Sequence, residues 1–125
     1  MCIVVFIIQM FCRSLSHWFS AVKHSKSTDE IKQLINPQGK LAVAWFTASW
    51  CGPCKAVSKS IETMAEGYKE SVVVVKIDID ECAEVAQSFN VTSVPTFHFI
   101  KSGKSLESVV GASAERVKLA IEKLK

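Results

Sequence analysis

An almost wholly apolar run, Leu41 to Thr47, leads into Trp50-Cys51-Gly52-Pro53-Cys54-Lys55, which opens a stretch of helical periodicity. A strand without polar alternation is buried on both faces, so the sheet it belongs to must be covered on both sides. That requirement points to an α/β architecture. The strand feeds a short turn and then a helix, so Cys51 falls at the helix N-terminus, where backbone N–H groups and the macrodipole favour a thiolate. Cys54 lies one turn further in, close enough to bridge back to Cys51 but directed toward the helix body and less exposed. The pair reads as a redox dithiol, with Cys51 the nucleophile and Cys54 the resolving residue.

The chain has 125 residues, 49% of them hydrophobic, enough for one core and one globular domain. A net charge of +3, carried by dispersed basic residues, gives no footprint for nucleic acid. The five cysteines stand at positions 2, 12, 51, 54 and 82, an odd count with only one close pair. That usage suits a reducing compartment with one working dithiol better than a disulfide-stapled secreted domain. Cys82 reads as a small buried residue. A zinc site is the rival reading of Cys-x-x-Cys, but there is no second pair and His17, His24 and His98 offer poor ligand spacing, so no metal is expected.

Residues 1–19 form a leader. Its first dozen residues are nearly all apolar, a Ser-rich basic stretch follows, and no acidic residue precedes Asp29. This is the composition of an organellar transit peptide or its remnant; with only one Arg and an unusually hydrophobic start, a secretory signal, a membrane-associating tail and a wrongly assigned start are the alternatives. A secretory signal wants basic residues ahead of the apolar run, the run is too short to span a bilayer, and Cys2 in place of Gly excludes N-myristoylation.

Residues 20–125 form the folded domain, with an edge strand expected near Trp18 to Lys23 at its boundary. Ser27 or Thr28 caps a helix through Ile31, Leu34 and Ile35, ended by Asn36-Pro37-Gln38-Gly39. After the strand Leu41 to Thr47, a helix from Cys51 to Tyr68 places Val57, Ile61, Ala65 and Tyr68 on one stripe. Val72 to Ile79, with four consecutive valines, is a second central strand. Glu81 to Phe89 reads as a short helix with Val85 and Phe89 inward. Thr96 to Lys101 and Ser105 to Val110 form a hairpin around Ser102-Gly103-Lys104, broken by Gly111. A last helix, capped by Ser113, turns Val117, Ile121 and Leu124 inward. This order of elements implies a mixed sheet with helices on both faces.

With the dithiol set in this order, the chain resembles the thioredoxin family over residues 20–125. The matching blocks are Phe46-Thr47-Ala48-Ser49-Trp50-Cys51-Gly52-Pro53-Cys54-Lys55, Lys76-Ile77-Asp78-Ile79-Asp80, Val94-Pro95-Thr96-Phe97 and Val110-Gly111-Ala112. The resemblance implies the thioredoxin fold, a central mixed sheet flanked by helices, and a protein-disulfide reductase. Cys51 would attack a client disulfide and Cys54 would release the reduced client, leaving Cys51 bonded to Cys54. Gly52 and Pro53 would tune the potential toward the reducing members of the fold. By the same resemblance Pro95 would be a cis proline facing the dithiol, and Trp50, Val94, Pro95 and Gly111 would bind clients. The implied partners are disulfide-containing proteins and an NADPH-dependent thioredoxin reductase, with no cofactor bound and the chain a monomer without membrane contact. A thioredoxin-like binding module of weak turnover is the alternative.

Two departures from the family pattern stand out. Where thioredoxins carry a buried Asp six residues before the first catalytic Cys, this chain has Trp45, which leaves Lys76 without its usual partner and the deprotonation of Cys54 to water, the client or another group. Where the family has a helix-kinking Pro, the chain has Lys59, so the helix should continue without a kink. An aromatic residue at position 45, with Pro95-Thr96-Phe97-His98-Phe99, resembles the plant mitochondrial thioredoxins of the o type. The Phe-Thr-Ala-Ser-Trp-Cys run is equally like the h type, so a mitochondrial location has the cytoplasm as its alternative. His98, alternating with Phe97 and Phe99, faces the opposite side as a passive polar position.

Overall fold

A computed structural model describes residues 21–125 of the chain. The leader 1–19, with Cys2 and Cys12, and the first part of the expected edge strand lie outside the described residues. In chain order the elements are β1 (Val22–His24), α1 (Thr28–Leu34), β2 (Leu41–Thr47), α2 (Gly52–Gly67), β3 (Val72–Asp78), α3 (Ala83–Ser88), β4 (Thr96–Lys101), β5 (Lys104–Val110) and α4 (Ala114–Leu124).

The strands form one five-stranded sheet in the order β1-β3-β2-β4-β5. β1 and β2 pair parallel with β3, while β4 runs antiparallel to both β2 and β5, so the sheet is mixed. β2 sits at its centre and every one of its residues is buried. The period of two along a strand divides them between two cores. Leu41, Val43 and Trp45 face α2 and α4, meeting Val57, Ile61, Val117 and Ile121. Ala42, Ala44 and Phe46 face α1 and α3, meeting Ile31, Ile35 and Val85. Each aliphatic side chain so buried contributes about 1.5–3 kcal/mol, which explains why a sheet centre lacks polar alternation.

Helix ends follow local chemistry. The side chains of Ser27, Cys51 and Ser113 accept backbone N–H groups at the starts of α1, α2 and α4. α2 runs unbroken through Lys59, as expected without a proline there. Val57, Ile61 and Ala65 are its buried stripe, and Tyr68 packs half-buried at its C-terminal end.

Candidate active site

β2 ends at Thr47, and the chain turns tightly before α2, with the Cys51 N–H donating to the Ala48 carbonyl at 3.1 Å. Cys51 is the N-cap of α2 in extended conformation, and its Sγ accepts the Cys54 N–H at 3.1 Å. Gly52 and Pro53 occupy the first helical turn, where the missing proline N–H removes no intrahelical bond. Cys51 and Cys54 are joined by a disulfide, with their Cα atoms 5.3 Å apart.

Exposure does not separate the two cysteines as the sequence reading expected. Cys51 is 3% exposed and Cys54 2%. The N-cap position lets the helix bury both residues against Ala48, Ile79 and Val94. What differs is where each faces. Cys51 Sγ lies 3.8 Å from the Val94 carbonyl oxygen, whereas Cys54 lines a cavity on the α2 side of the sheet.

The Val94-Pro95 peptide bond is cis and Pro95 is buried at the start of β4. The Pro95 carbonyl accepts the Gly111 N–H at 2.9 Å, which ties the end of β5 to the proline. Gly111 has φ +107°, a conformation that side-chain-bearing residues rarely adopt. The structure therefore brings Cys51, Cys54 and Val94 into contact and links Gly111 through Pro95. Trp50 stands out at 67% exposure, and its indole Nε1 donates to Asp80 Oδ2 at 2.9 Å. Asp80 lies in a block matched in the sequence, but its role as an anchor for the Trp50 ring was missed. The only signal was the alternation of acids at the end of β3.

Behind the dithiol, Trp45 is fully buried and stacked on Phe97, ring centroids 6.0 Å apart. Its Nε1 has no hydrogen-bond partner among the described residues. Lys76, expected to be left unpartnered, instead sets its Nζ 5.0 Å above the Trp45 ring. The indole thus takes the place of a carboxylate by offering its electron-rich face to the cation.

The cavity beside Cys54 has a volume of about 210 Å³, and its lining includes His24, Thr47, Lys76, Asp78 and Glu81. Cys82, buried as expected, donates its S–H to the Ser25 carbonyl at 3.7 Å. Burial pushes its thiol pKa up, and the charges of Glu81 and Asp78 push it further. His98 faces away from Phe97 and Phe99, packing 5.8 Å from the Phe46 ring and 5.1 Å from Phe89. Desolvation there holds its pKa below the ordinary value. Among the described residues no group of three or more His, Cys, Asp or Glu side chains is arranged to hold a metal ion. No helix among them is long and apolar enough to cross a membrane.

A cysteine pair that closes into a disulfide at a helix N-terminus, opposite a cis proline on a five-stranded mixed sheet, defines a thiol-disulfide oxidoreductase. The family model for thioredoxin matches residues 21–123. The chain belongs to the thioredoxin family. It is 42% identical over 91 residues to Thioredoxin H2 of Arabidopsis thaliana, covering 73% of this chain and 68% of that one. To Thioredoxin-2 of Saccharomyces cerevisiae it is 42% identical over 100 residues, covering 80% and 95%. The crystal structure of thioredoxin NaTrxh from Nicotiana alata superposes with a TM-score of 0.78 at 39% identity, covering 83% and 92%.

Proposed function

We propose that the protein reduces disulfides of client proteins, with Cys51 as nucleophile and Cys54 as resolving residue. The observation that carries this reading is the position of Cys51 Sγ, at the N-terminus of α2 and 3.8 Å from the Val94 carbonyl. The N-cap sulfur accepts the Cys54 N–H at 3.1 Å, and the same donor with the helix dipole would stabilise a thiolate on Cys51 once the pair is reduced. That thiolate attacks one client sulfur, forming the Cys51–client bond and releasing the other client sulfur as a thiolate. Cys54 then attacks Cys51 Sγ, which forms the intramolecular disulfide and expels the second client sulfur. Two electrons pass from the dithiol to the client.

Val94 contributes a backbone edge beside the nucleophile for an extended client segment, and Pro95 and Gly111 hold that edge in place. Trp50 supplies an exposed apolar ring at the rim. Gly52 and Pro53 sit between the sulfurs and tune the potential of the pair. Regeneration falls to a thioredoxin reductase fed by NADPH, with no cofactor bound to this chain, which acts as a monomer. A neighbour at TM-score 0.75 and 30% identity comes from work on thiol resolution of a yeast mitochondrial 1-Cys peroxiredoxin, which supports disulfide-containing proteins as clients.

The o-type, mitochondrial reading rests on the aromatic Trp45 and on the leader 1–19. The plant relatives above are Thioredoxin H2 and NaTrxh, which supports the h type, and the cytoplasm is the alternative location. Imaging the full chain with a C-terminal fluorescent tag separates the two. The reductase reading itself is tested by Cys54→Ser, which should accumulate clients as mixed disulfides through Cys51. Mass spectrometry that finds clients bound through another cysteine contradicts it.

A further inference from the structure

Resolution requires Cys54 to lose its thiol proton, yet Cys54 is 2% exposed and its neighbours Ala48, Ile79 and Val94 offer no ionisable side chain. A cavity of about 210 Å³ on its α2 side, lined largely by apolar atoms but also by the side chains of Thr47, Ser58, Lys76 and Asp78, opens Cys54 toward polar groups and has room for water. We infer that Asp78 accepts the Cys54 proton through water in this cavity.

The strand register sets the geometry. Trp45 pairs with Lys76, and Thr47 with Asp78. Since side chains alternate along a strand, Lys76 and Asp78 share the face that carries Trp45 and Val74 toward α2. Asp78 is half-buried at the last residue of β3. Its Oδ1 accepts the N–H groups of Asp80 and Glu81 at 2.8 and 3.3 Å, which fixes the carboxylate while Oδ2 takes no protein hydrogen bond among the described residues.

The other ionisable groups on the lining fit the role less well. Glu81 is exposed and ion-paired with Lys26 at 3.2 Å. Lys76, its ammonium held over the Trp45 ring, has donors and no acceptor. His24 is exposed on the edge strand β1, and Lys55 is exposed on α2. The positive charges of Lys76 and Lys55 face the same cavity and favour the thiolate left on Cys54. The step balances: the proton leaves Cys54 for Asp78, the Cys54 thiolate attacks Cys51 Sγ, the Cys51–client bond breaks, and the client thiolate takes up a proton from solvent.

The inference rests on the reductase reading, and the test separates the two. Single-turnover reduction of insulin is followed as a function of pH for the reduced full chain, Asp78→Asn, Asp78→Glu and Ser58→Leu, with folding checked by circular dichroism. Ser58 lines the cavity from α2, so Leu there fills it while leaving the carboxylate intact. Near neutral pH, Asp78→Asn and Ser58→Leu should each slow resolution by roughly 100-fold, the bottom of the range for a lost proton acceptor. Both should accumulate mixed disulfide and approach the parent rate at alkaline pH, and Asp78→Glu should restore most of the rate. Should Asp78→Asn fail to fold, Ser58→Leu carries the test. A pH profile shared by all variants overturns the role of Asp78, and a parent chain that reduces no insulin overturns the reductase reading instead.

Discussion

Lys76 Nζ stands 5.0 Å above the indole of Trp45, a fully buried residue at the centre of the sheet. A cation over a partly desolvated aromatic face is worth about 0.5–2 kcal/mol. Lys76→Met keeps the aliphatic stem and should lower unfolding stability in urea by that amount. In a Trp45→Leu background the same change should cost close to nothing. Additive losses in this double-mutant cycle would show that the contact carries no energy. Trp45→Leu alone should cost several kcal/mol, since the removed ring leaves a cavity against Phe97.

Gly111 joins the end of β5 to Pro95 while holding φ +107°. A Cβ at this position meets nothing within 4 Å, so the cost of Gly111→Ala is conformational. It should amount to about 1–3 kcal/mol. Thermal unfolding checks the loss, and the KM for insulin should rise because the Val94-Pro95 edge shifts with it. An unchanged Tm and KM would remove Gly111 from the account.

His98 titrates in the folded protein below its ordinary value of 6.5 because packing against Phe46 and Phe89 desolvates it. Between pH 6.5 and the lower folded value the unfolded chain binds more protons, so stability falls as pH falls through that window. His98→Gln should flatten this part of the profile of urea midpoint against pH. A profile identical to the parent's would assign the acid sensitivity to other groups.

Cys82 is 3% exposed and its thiol is held above the ordinary range, first by burial and then by Glu81 and Asp78. Cys51 is equally buried, but its sulfur sits at a helix N-terminus that favours the reactive thiolate, so iodoacetamide applied to the reduced native protein near neutral pH should label Cys51 first and Cys82 only after denaturation. Peptide mapping distinguishes these positions from Cys2 and Cys12. Rapid native labelling of Cys82 would contradict its burial.

Much of this was legible in the chain. The unbroken apolar run of β2 announced a sheet covered on both faces, and Ser27 and Ser113 marked helix starts that the structure retains. The hairpin β4–β5 falls within one residue of its expected limits because Ser102-Gly103 supplies the positive φ values its turn needs. The dithiol was equally plain, since helix position alone sets Cys51 apart. Three features were not legible because each depends on registration between strands far apart in sequence. The Lys76–Trp45 contact and the facing of Asp78 toward α2 follow from pairing of β2 with β3, and the Trp50–Asp80 bond crosses from one strand end to the next. The near-equal burial of the two cysteines also escaped a local reading, because Val94 and Ile79 arrive from elsewhere in the chain to cover them.

Catalysed reduction of insulin by dithiothreitol tests the central claim most directly. With catalytic amounts of the full chain, precipitation of the insulin B chain should begin well ahead of the uncatalysed reaction, and Cys51→Ser should abolish the acceleration. A parent chain no faster than dithiothreitol alone, or a Cys51→Ser variant as active as the parent, would contradict the account.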